Sequence, residues 1–299
     1  DIGFYGVGSI AHSVQKARQT HTLGILLHQK GRTFYRNLGE ALQRAADNQL
    51  DSKVLLRLEY LEDLSPDNLA ARLIRLSEEC ESLALVAAEH PIVSDAIDSV
   101  LDRGIPVAGM IAPLSARGNV GFVGLDNRKV GRTAAWAFDK IIREPGKVGI
   151  LVGNHRYRNQ EMNESGFRSY LRETNDAFTL LEPLSTYESA AAARELTENL
   201  LTDHPDLCGL FISGGGISGA IAALRDMPRR KDFVAVGYEL FDTTRAALID
   251  GTLTMVISHP MDEFARQTIA TLIRAKKAGT DAGAQRSTLG FEIYTPENV

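Results

Sequence analysis

Three small residues near the amino terminus have the spacing of a dinucleotide-binding loop. Gly6, Gly8 and Ala11 match G-x-G-x-x-A, in which glycines let a pyrophosphate approach the amino terminus of a helix. Such a loop would serve an NAD(P)-dependent oxidoreductase. The pattern also requires an acidic residue at the end of the second strand, where this chain has His28 and Gln29. The cofactor loop therefore stays an alternative, and the main prediction is that no cofactor is bound.

Other arrangements that carry catalysis are not found in the sequence. It contains neither G-x-S-x-G nor H-E-x-x-H, the motifs of a serine nucleophile and of a zinc protease. Glu89 and His90 are neighbours in an extended segment, where adjacent side chains point to opposite sides. Cys80 and Cys208 lie far apart without metal-ligand spacing, as expected of two reduced thiols. We therefore predict no enzymatic activity and no metal site.

The composition indicates a globular chain with a large core. With 299 residues, of which 44% are hydrophobic, the chain is long enough for one large or two medium domains. Its net charge of −5 argues against binding of nucleic acid by these residues alone. No apolar run reaches the roughly 20 residues that cross a membrane, and no export signal is recognised. From these features we predict a cytoplasmic protein.

Short apolar runs alternate with helical patterns along the chain. Examples are the strand-like runs Leu23–Leu27 and Lys147–Val152 and the helical patterns Phe34–Ala46 and Met261–Ala278. This alternation predicts an α/β fold in which helices cover both faces of parallel sheets. The strand-like runs are too many for one open sheet of about four to six strands, so we predict two lobes. A ligand is then expected between the lobes, at the carboxyl ends of strands.

Several motifs, taken in order, resemble those of the LacI family of bacterial transcriptional regulators. They are the junction G-F-Y-G-V-G-S-I-A-H-S-V-Q-K-A-R-Q-T-H-T-L-G-I-L-L at Gly3–Leu27, G-I-P-V at Gly104–Val107, V-G-L-D-N-R-K-V-G-R-T-A-A at Val123–Ala135, E-S-G-F-R-S-Y-L at Glu164–Leu171 and V-A-V-G-Y-E at Val234–Glu239. Each motif alone is loose, but their order and spacing together are fairly specific.

That resemblance implies the effector-sensing and dimerisation region of a transcriptional repressor. Its fold would be that of periplasmic sugar-binding proteins, with two doubly wound parallel-sheet lobes joined by three chain crossovers. Residues 1–21 would hold the end of the DNA-binding region and a hinge segment. The amino-terminal lobe would comprise 22–125 plus 258–284, and the carboxyl-terminal lobe 126–257 plus 285–299.

The partners implied by the resemblance are a small effector, operator DNA and a second copy of the chain. The effector would be a sugar, polyol or sugar derivative. DNA would be bound through a helix-turn-helix domain outside this sequence, and Val14 or Gln15 in the hinge would wedge between base pairs. A transport-type solute receptor with the same fold stays an alternative.

The resemblance also indicates pocket residues at strand ends. Arg32, Phe34 and Tyr35 follow the first strand, where sugar-binding relatives have N-P-F-F. The rings would stack on a sugar, and the guanidinium would donate hydrogen bonds to hydroxyls or a carboxylate. The alternative is that the two rings only pack against the start of the following helix. Glu239 stands where the family has an Asp that would accept from two sugar hydroxyls, a surface turn being the alternative. His259 stands where sugar binders often have Gln, unless it is a core histidine.

Four further candidates depart from the family pattern or rest on weaker grounds. Asn163 replaces the family's ligand-gripping Arg and cannot form its charged fork. Tyr187 is aligned with an aromatic pocket wall. Gly215 lies in S-G-G-G, where backbone N–H groups would meet an anion or the turn would leave room for a bulky ligand. His90 follows a strand, with a helix cap as the alternative.

Overall fold

The computed structural model describes residues 19–174 and 177–299 of the chain. The glycine pattern of Gly6, Gly8 and Ala11 and the hinge residues Val14 and Gln15 lie outside the described residues. Within the described ranges, no helix combines the length and the apolar character needed to cross a membrane.

Strands and helices alternate along most of the chain. The strands are β1 (Gln19–His28), β2 (Ser52–Leu61), β3 (Ser82–Leu85), β4 (Val107–Met110), β5 (Gly121–Leu125), β6 (Lys147–Val152), β7 (Thr179–Leu180), β8 (Leu184–Ser185), β9 (Leu207–Ile212), β10 (Val234–Tyr238), β11 (Met255–Ser258), β12 (Arg286–Leu289) and β13 (Glu292–Tyr294). The helices are α1 (Thr33–Asp47), α2 (Pro66–Leu76), α3 (Pro91–Leu101), α4 (Asn127–Ile141), α5 (Arg158–Thr174), α6 (Ala190–Asp203), α7 (Ile217–Asp226), α8 (Asp242–Ile249) and α9 (Met261–Ala278), with a short 3-10 helix at Thr280–Ala282.

Two sheets form two lobes, which confirms the predicted fold class. The first lobe contains a six-stranded parallel sheet in the order β12-β5-β4-β3-β1-β2. The second contains the order β13-β11-β10-β9-β6-β7, with β8 also pairing with β6 and only β13 antiparallel among the described strands. The strand order reverses beside β1 in the first sheet and beside β6 in the second. Ligands of doubly wound sheets bind at such reversal points.

The central strands are apolar because helices cover both faces of each sheet. In the first lobe, α1 and α9 pack on one face and α2 and α3 on the other. In the second, α4 and α5 cover one face, and α6, α7 and α8 the other. Every residue of β4, β5, β9 and β10 is buried. The packed core of each lobe holds the ends of its strands at fixed positions. The candidate site lies at these strand ends.

The last crossing between the lobes comes later in the chain than predicted. Residues 285–299 were expected in the carboxyl-terminal lobe, but Arg286–Leu289 forms β12 and pairs with β5 of the first sheet. This strand is an edge strand of alternating half-buried and exposed residues, so it has no apolar run that sequence patterns detect. The chain therefore crosses between β12 and β13. The other lobe boundaries stay predictions.

Two glycines in the motifs of the family resemblance let α4 and α5 pack closely. A Cβ atom at Gly131 would lie 1.8 Å from the carbonyl oxygen of Asn163, and one at Gly166 would lie 2.2 Å from that of Arg128. Because these neighbours are backbone atoms, they cannot move aside without shifting a helix. The small residues are therefore needed for the contact between the two helices.

We expect Gly131→Ala to lower the free energy of unfolding by about 2–3 kcal/mol, because the added methyl group overpacks the contact between α4 and α5. Helix propensity alone predicts the opposite sign, since Ala in a helix is favoured over Gly by about 1 kcal/mol. Urea denaturation measures the difference. Gly290→Ala is the matched control, because a Cβ atom there meets nothing within 4 Å. A Gly131→Ala protein as stable as the wild type would contradict this account of the helix contact.

Candidate functional site

A cavity of about 300 Å³ lies between the lobes, where strands of both sheets end. The first lobe contributes the start of α1 and Ile111, which follows β4. The second lobe contributes residues 213–218, which run from the end of β9 into the first turn of α7, and residues at and after the end of β10. The cavity is thus lined by several strand-to-helix junctions, as expected for the ligand site of such a fold.

Five of the candidate residues from the sequence meet in this cavity. Arg32, Phe34 and Tyr35 line it from the first lobe, and Gly215 and Glu239 line it from the second. They come together because each follows the carboxyl end of a buried strand. That these residues contact a ligand stays a prediction.

The structure places two further candidates behind the cavity wall. Asn163 is fully buried, and its Nδ2 donates to Ser213 Oγ at 3.1 Å, so it supports a residue of the cavity lining. His259 is also buried, and its Nδ1 lies 2.5 Å from Glu239 Oε1. Both side chains therefore position residues that line the cavity, rather than lining it themselves.

His90 and Tyr187 line a second cavity of about 230 Å³ instead of the first. His90 caps α3, because its Nδ1 accepts a hydrogen bond from the N–H of Ile92 at 3.2 Å. Tyr187 and Glu188 both have positive φ angles, of 52° and 63°. This backbone turn directs the carboxylate of Glu188 into the first cavity and leaves Tyr187 76% exposed.

Glu239 presents a carboxylate of fixed orientation to the cavity. Its Oε1 accepts from His259 Nδ1, and its Oε2 accepts from Ser258 Oγ at 3.1 Å and from the N–H of His259 at 3.2 Å. Glu239 itself has a φ of 71°, a conformation that costs a residue other than glycine about 1–3 kcal/mol. Strain of this kind concentrates at ligand sites, where surrounding contacts hold it in place.

An ion pair joins the lobes at the side of the cavity. Arg32 Nη1 in the first lobe donates to Glu188 Oε2 in the second at 3.0 Å. Gln160 Nε2 donates to the other oxygen, Oε1, at 2.9 Å. The Gln160 side chain is fixed in turn, since its Oε1 accepts from the N–H groups of Gly153 and Asn154. Glu188 is therefore held from both lobes.

The sequence did not reveal three polar residues of the cavity. Asn159, Gln160 and Glu188 line it, and Asn159 Oδ1 is buried with no hydrogen-bond partner among the described residues. Asn159 and Gln160 lie in the first turn of α5, which begins at Arg158, and no motif of the family resemblance covers them. Glu188 could have been predicted from its neighbour Tyr187, which was aligned with a pocket wall in the sequence S-T-Y-E.

Aromatic rings around His28 form an uncharged wall next to the cavity. The His28 ring lies 4.9 Å from that of Tyr35 and 5.5 Å from that of Tyr157, measured between centroids. Burial lowers the pKa of His28 to about 4, although its hydrogen bond to the carbonyl of Val86 acts in the opposite direction. Burial also raises the pKa of Tyr35 and Tyr157 well above the usual range. All three rings are therefore neutral near pH 7.

The family model described as periplasmic binding protein domain matches residues 23–280. The chain belongs to that family. It is 26% identical over 178 residues to the D-ribose/D-allose-binding protein of Pseudomonas aeruginosa, which is 57% of this chain and 55% of that protein. Over 164 residues, 54% of this chain and 52% of the relative, it is 23% identical to the D-apiose import binding protein of Paraburkholderia graminis. The chain thus spans about half the length of these curated relatives.

Solved structures share the fold of this periplasmic binding protein domain over nearly its whole length. The glucose-galactose binding protein GanP from Geobacillus stearothermophilus has a TM-score of 0.83 at 15% identity, covering 94% of this chain and 99% of that one. An ABC transporter periplasmic solute binding protein from Actinobacillus succinogenes, with bound D-allose, has a TM-score of 0.80 at 16% identity, covering 93% and 98%. At these identities the likeness concerns the fold.

The family membership confirms one prediction and corrects another. The binding-protein fold that the resemblance implied is confirmed. The prediction of a cytoplasmic protein is wrong on this comparison, because the relatives include an import binding protein and a periplasmic solute binding protein. That prediction of location relied on the lack of a recognised export signal in the sequence, which is weaker evidence than family membership. These relatives are binding proteins and not enzymes, and they give no support for operator DNA or a second copy of the chain as partners.

Proposed function

We propose that this chain binds a neutral sugar in the cavity between its lobes and acts as a solute receptor. The observation that carries the proposal is the pairing of aromatic rings with fixed acceptors across one cavity. Phe34 and Tyr35 face it from the first lobe, and Glu239 and Asn159 face it from the second. A sugar has an apolar ring face that stacks on aromatic side chains and hydroxyls that donate to carboxylate and amide oxygens.

The charges of the cavity favour a neutral sugar over an anionic one. Among the described lining residues, Glu188 and Glu239 carry negative charge and Arg32 carries positive charge. Because Arg32 is paired with Glu188, the carboxylate of Glu239 would repel a phosphate or a sugar acid. Of the two uses considered for Gly215, space for the ligand agrees better with this charge than an anion site.

Ligand contacts to both lobes would stabilise the arrangement in which the lobes meet. Outside the cavity, the lobes are already joined by the N–H of Glu89, which donates to the carbonyl of Arg156 at 2.8 Å. Arg158 Nη1 donates to Ser115 Oγ at 2.9 Å. A sugar held between Phe34 and Glu239 adds to these contacts only when the lobes are together. Binding would therefore shift the population toward this state.

The experiment is a thermal-shift screen of sugars, polyols, sugar acids, phosphosugars and NAD(P). A binder present at 100 times its Kd adds about 2.7 kcal/mol to the free energy of unfolding, which is easily detected. We expect one neutral sugar to stabilise the chain and Phe34→Ala to weaken its binding about 30-fold, because the stacking ring is lost. The control is Trp136→Ala, which removes an aromatic ring 49% exposed on α4. Stabilisation by NAD(P) alone would refute the proposal and favour a cofactor loop at Gly6–Ala11.

A second candidate function is effector sensing by a transcriptional repressor. It is favoured by the LacI-like motif that runs from β5 into α4, in which Asp126 caps the helix through the N–H of Lys129. In the intact protein this function predicts protection of a two-fold operator that responds to the bound sugar. A solute receptor predicts no such protection. A nuclease footprint separates the two candidates after the sugar has been identified.

A further inference from the structure

We propose that the ligand site extends into the second cavity and takes a disaccharide, an inference that rests on the proposed sugar binding. The second cavity has a volume of about 230 Å³ and also lies between the lobes. Arg32 and Glu188 line both cavities. The ion pair between them is therefore the partition that separates the two spaces. Because the volumes of about 300 and 230 Å³ are similar, they suit two linked units of similar size.

The lining of the second cavity has the amphipathic character that a sugar ring requires. Leu69 and Val93 in the first lobe provide an apolar surface. Tyr157 provides an aromatic ring from the second lobe, and Asn154 provides an amide beside it. One face of a second ring would pack against the apolar groups, and its hydroxyls would face the amide.

Glu89 brings to the second cavity a carboxylate oxygen that has no hydrogen-bond partner among the described residues. Its buried Oε1 forms an ion pair with Arg158 Nη1 at 3.6 Å, a distance too long for a hydrogen bond. The backbone N–H of Glu89 is fixed by the carbonyl of Arg156 across the lobes. The carboxylate is therefore positioned to accept from a hydroxyl of the ligand.

A ligand can reach the ion pair between the cavities and take over its hydrogen bonds. The Arg32 side chain is 33% exposed and that of Glu188 is 18% exposed, so water reaches both ends of the ion pair. A guanidinium has five N–H donors, and Arg32 uses one for Gln29 and one for Glu188. A disaccharide across the partition would receive hydrogen bonds from Arg32 and give them to Glu188.

The test compares calorimetric Kd values of monosaccharides with those of disaccharides that contain them. The probes are D-glucose and D-galactose against cellobiose, lactose and maltose. We expect one disaccharide to bind at least about 10-fold more tightly than its monosaccharides, because the second ring gains contacts of its own. In Ala88→Phe, which fills the second cavity, the disaccharide should lose that advantage while the monosaccharide Kd stays within about twofold.

The control variant is Ala278→Phe, at the exposed end of α9, which should change neither Kd. Monosaccharide binding without any gain for the disaccharides would overturn the inference and leave the proposed function standing. An equal loss of both ligands in Ala88→Phe would also overturn it. If no sugar of either kind binds, the proposed function and this inference fall together.

Discussion

Glu239→Ala is expected to abolish sugar binding within the measurable range, a loss of at least about 100-fold in affinity. The variant removes an acceptor whose orientation is fixed by Ser258 and His259. It also leaves the His259 ring and the N–H of His259 without this acceptor in a buried environment. We therefore expect a second effect, a decrease of about 2–4 kcal/mol in the free energy of unfolding. Calorimetry and urea denaturation measure the two effects separately.

Two control variants show whether the Glu239 carboxylate itself is responsible. Glu239→Gln keeps the size and one acceptor oxygen, so it should bind the sugar more weakly than wild type but better than the Ala variant. Glu297→Ala removes an exposed carboxylate near the carboxyl terminus and should change neither quantity. Unchanged sugar affinity in a folded Glu239→Ala protein would show that the ligand does not contact this carboxylate.

Acidification is expected to destabilise the protein through His28. Burial lowers its pKa to about 4, whereas the ordinary value in an unfolded chain is 6.5. Between these two pH values the unfolded chain binds a proton that the folded chain does not, so lower pH favours unfolding. The contribution of His28 is complete above about pH 6.5 and is lost progressively as the pH falls to 4. At pH 4.5 the loss amounts to about 2–3 kcal/mol.

Urea denaturation of wild type and His28→Phe at pH 7.5 and at pH 4.5 isolates this effect. The variant keeps a ring between Tyr35 and Tyr157 but cannot be protonated. Its loss of stability on acidification should be smaller than that of wild type by about 2–3 kcal/mol, while the carboxylates affect both proteins alike. Equal losses in the two proteins would mean that His28 accepts a proton in the folded state without cost.

The parts of the fold that sequence patterns revealed are those that helices bury on both sides. The apolar run Lys147–Val152 was predicted as a strand and forms β6 with the same bounds. In contrast, β8 has only two residues, and β12 and β13 are short and partly exposed. Pairing with neighbouring strands defines these short elements, and no local pattern marks them.

The candidate site was partly predictable because topology decides which residues meet. The family resemblance indicated Arg32 and Glu239 at strand ends, and the carboxyl ends of the strands face the cleft. Glu188 was missed because a left-handed turn, and not the alternation of side chains, directs it into the cavity. Asn163 was placed in the pocket by motif position, whereas its side chain binds Ser213 behind the wall.

The measurement that tests the central claim most directly is a crystal structure of the chain grown with the sugar that stabilises it most. The account predicts a sugar ring in the cavity of about 300 Å³, packed against Phe34. Its hydroxyls should lie within about 3.2 Å of carboxylate or amide oxygens of Glu239 and Asn159. A sugar bound elsewhere on the protein, with only water between the lobes, would contradict the account.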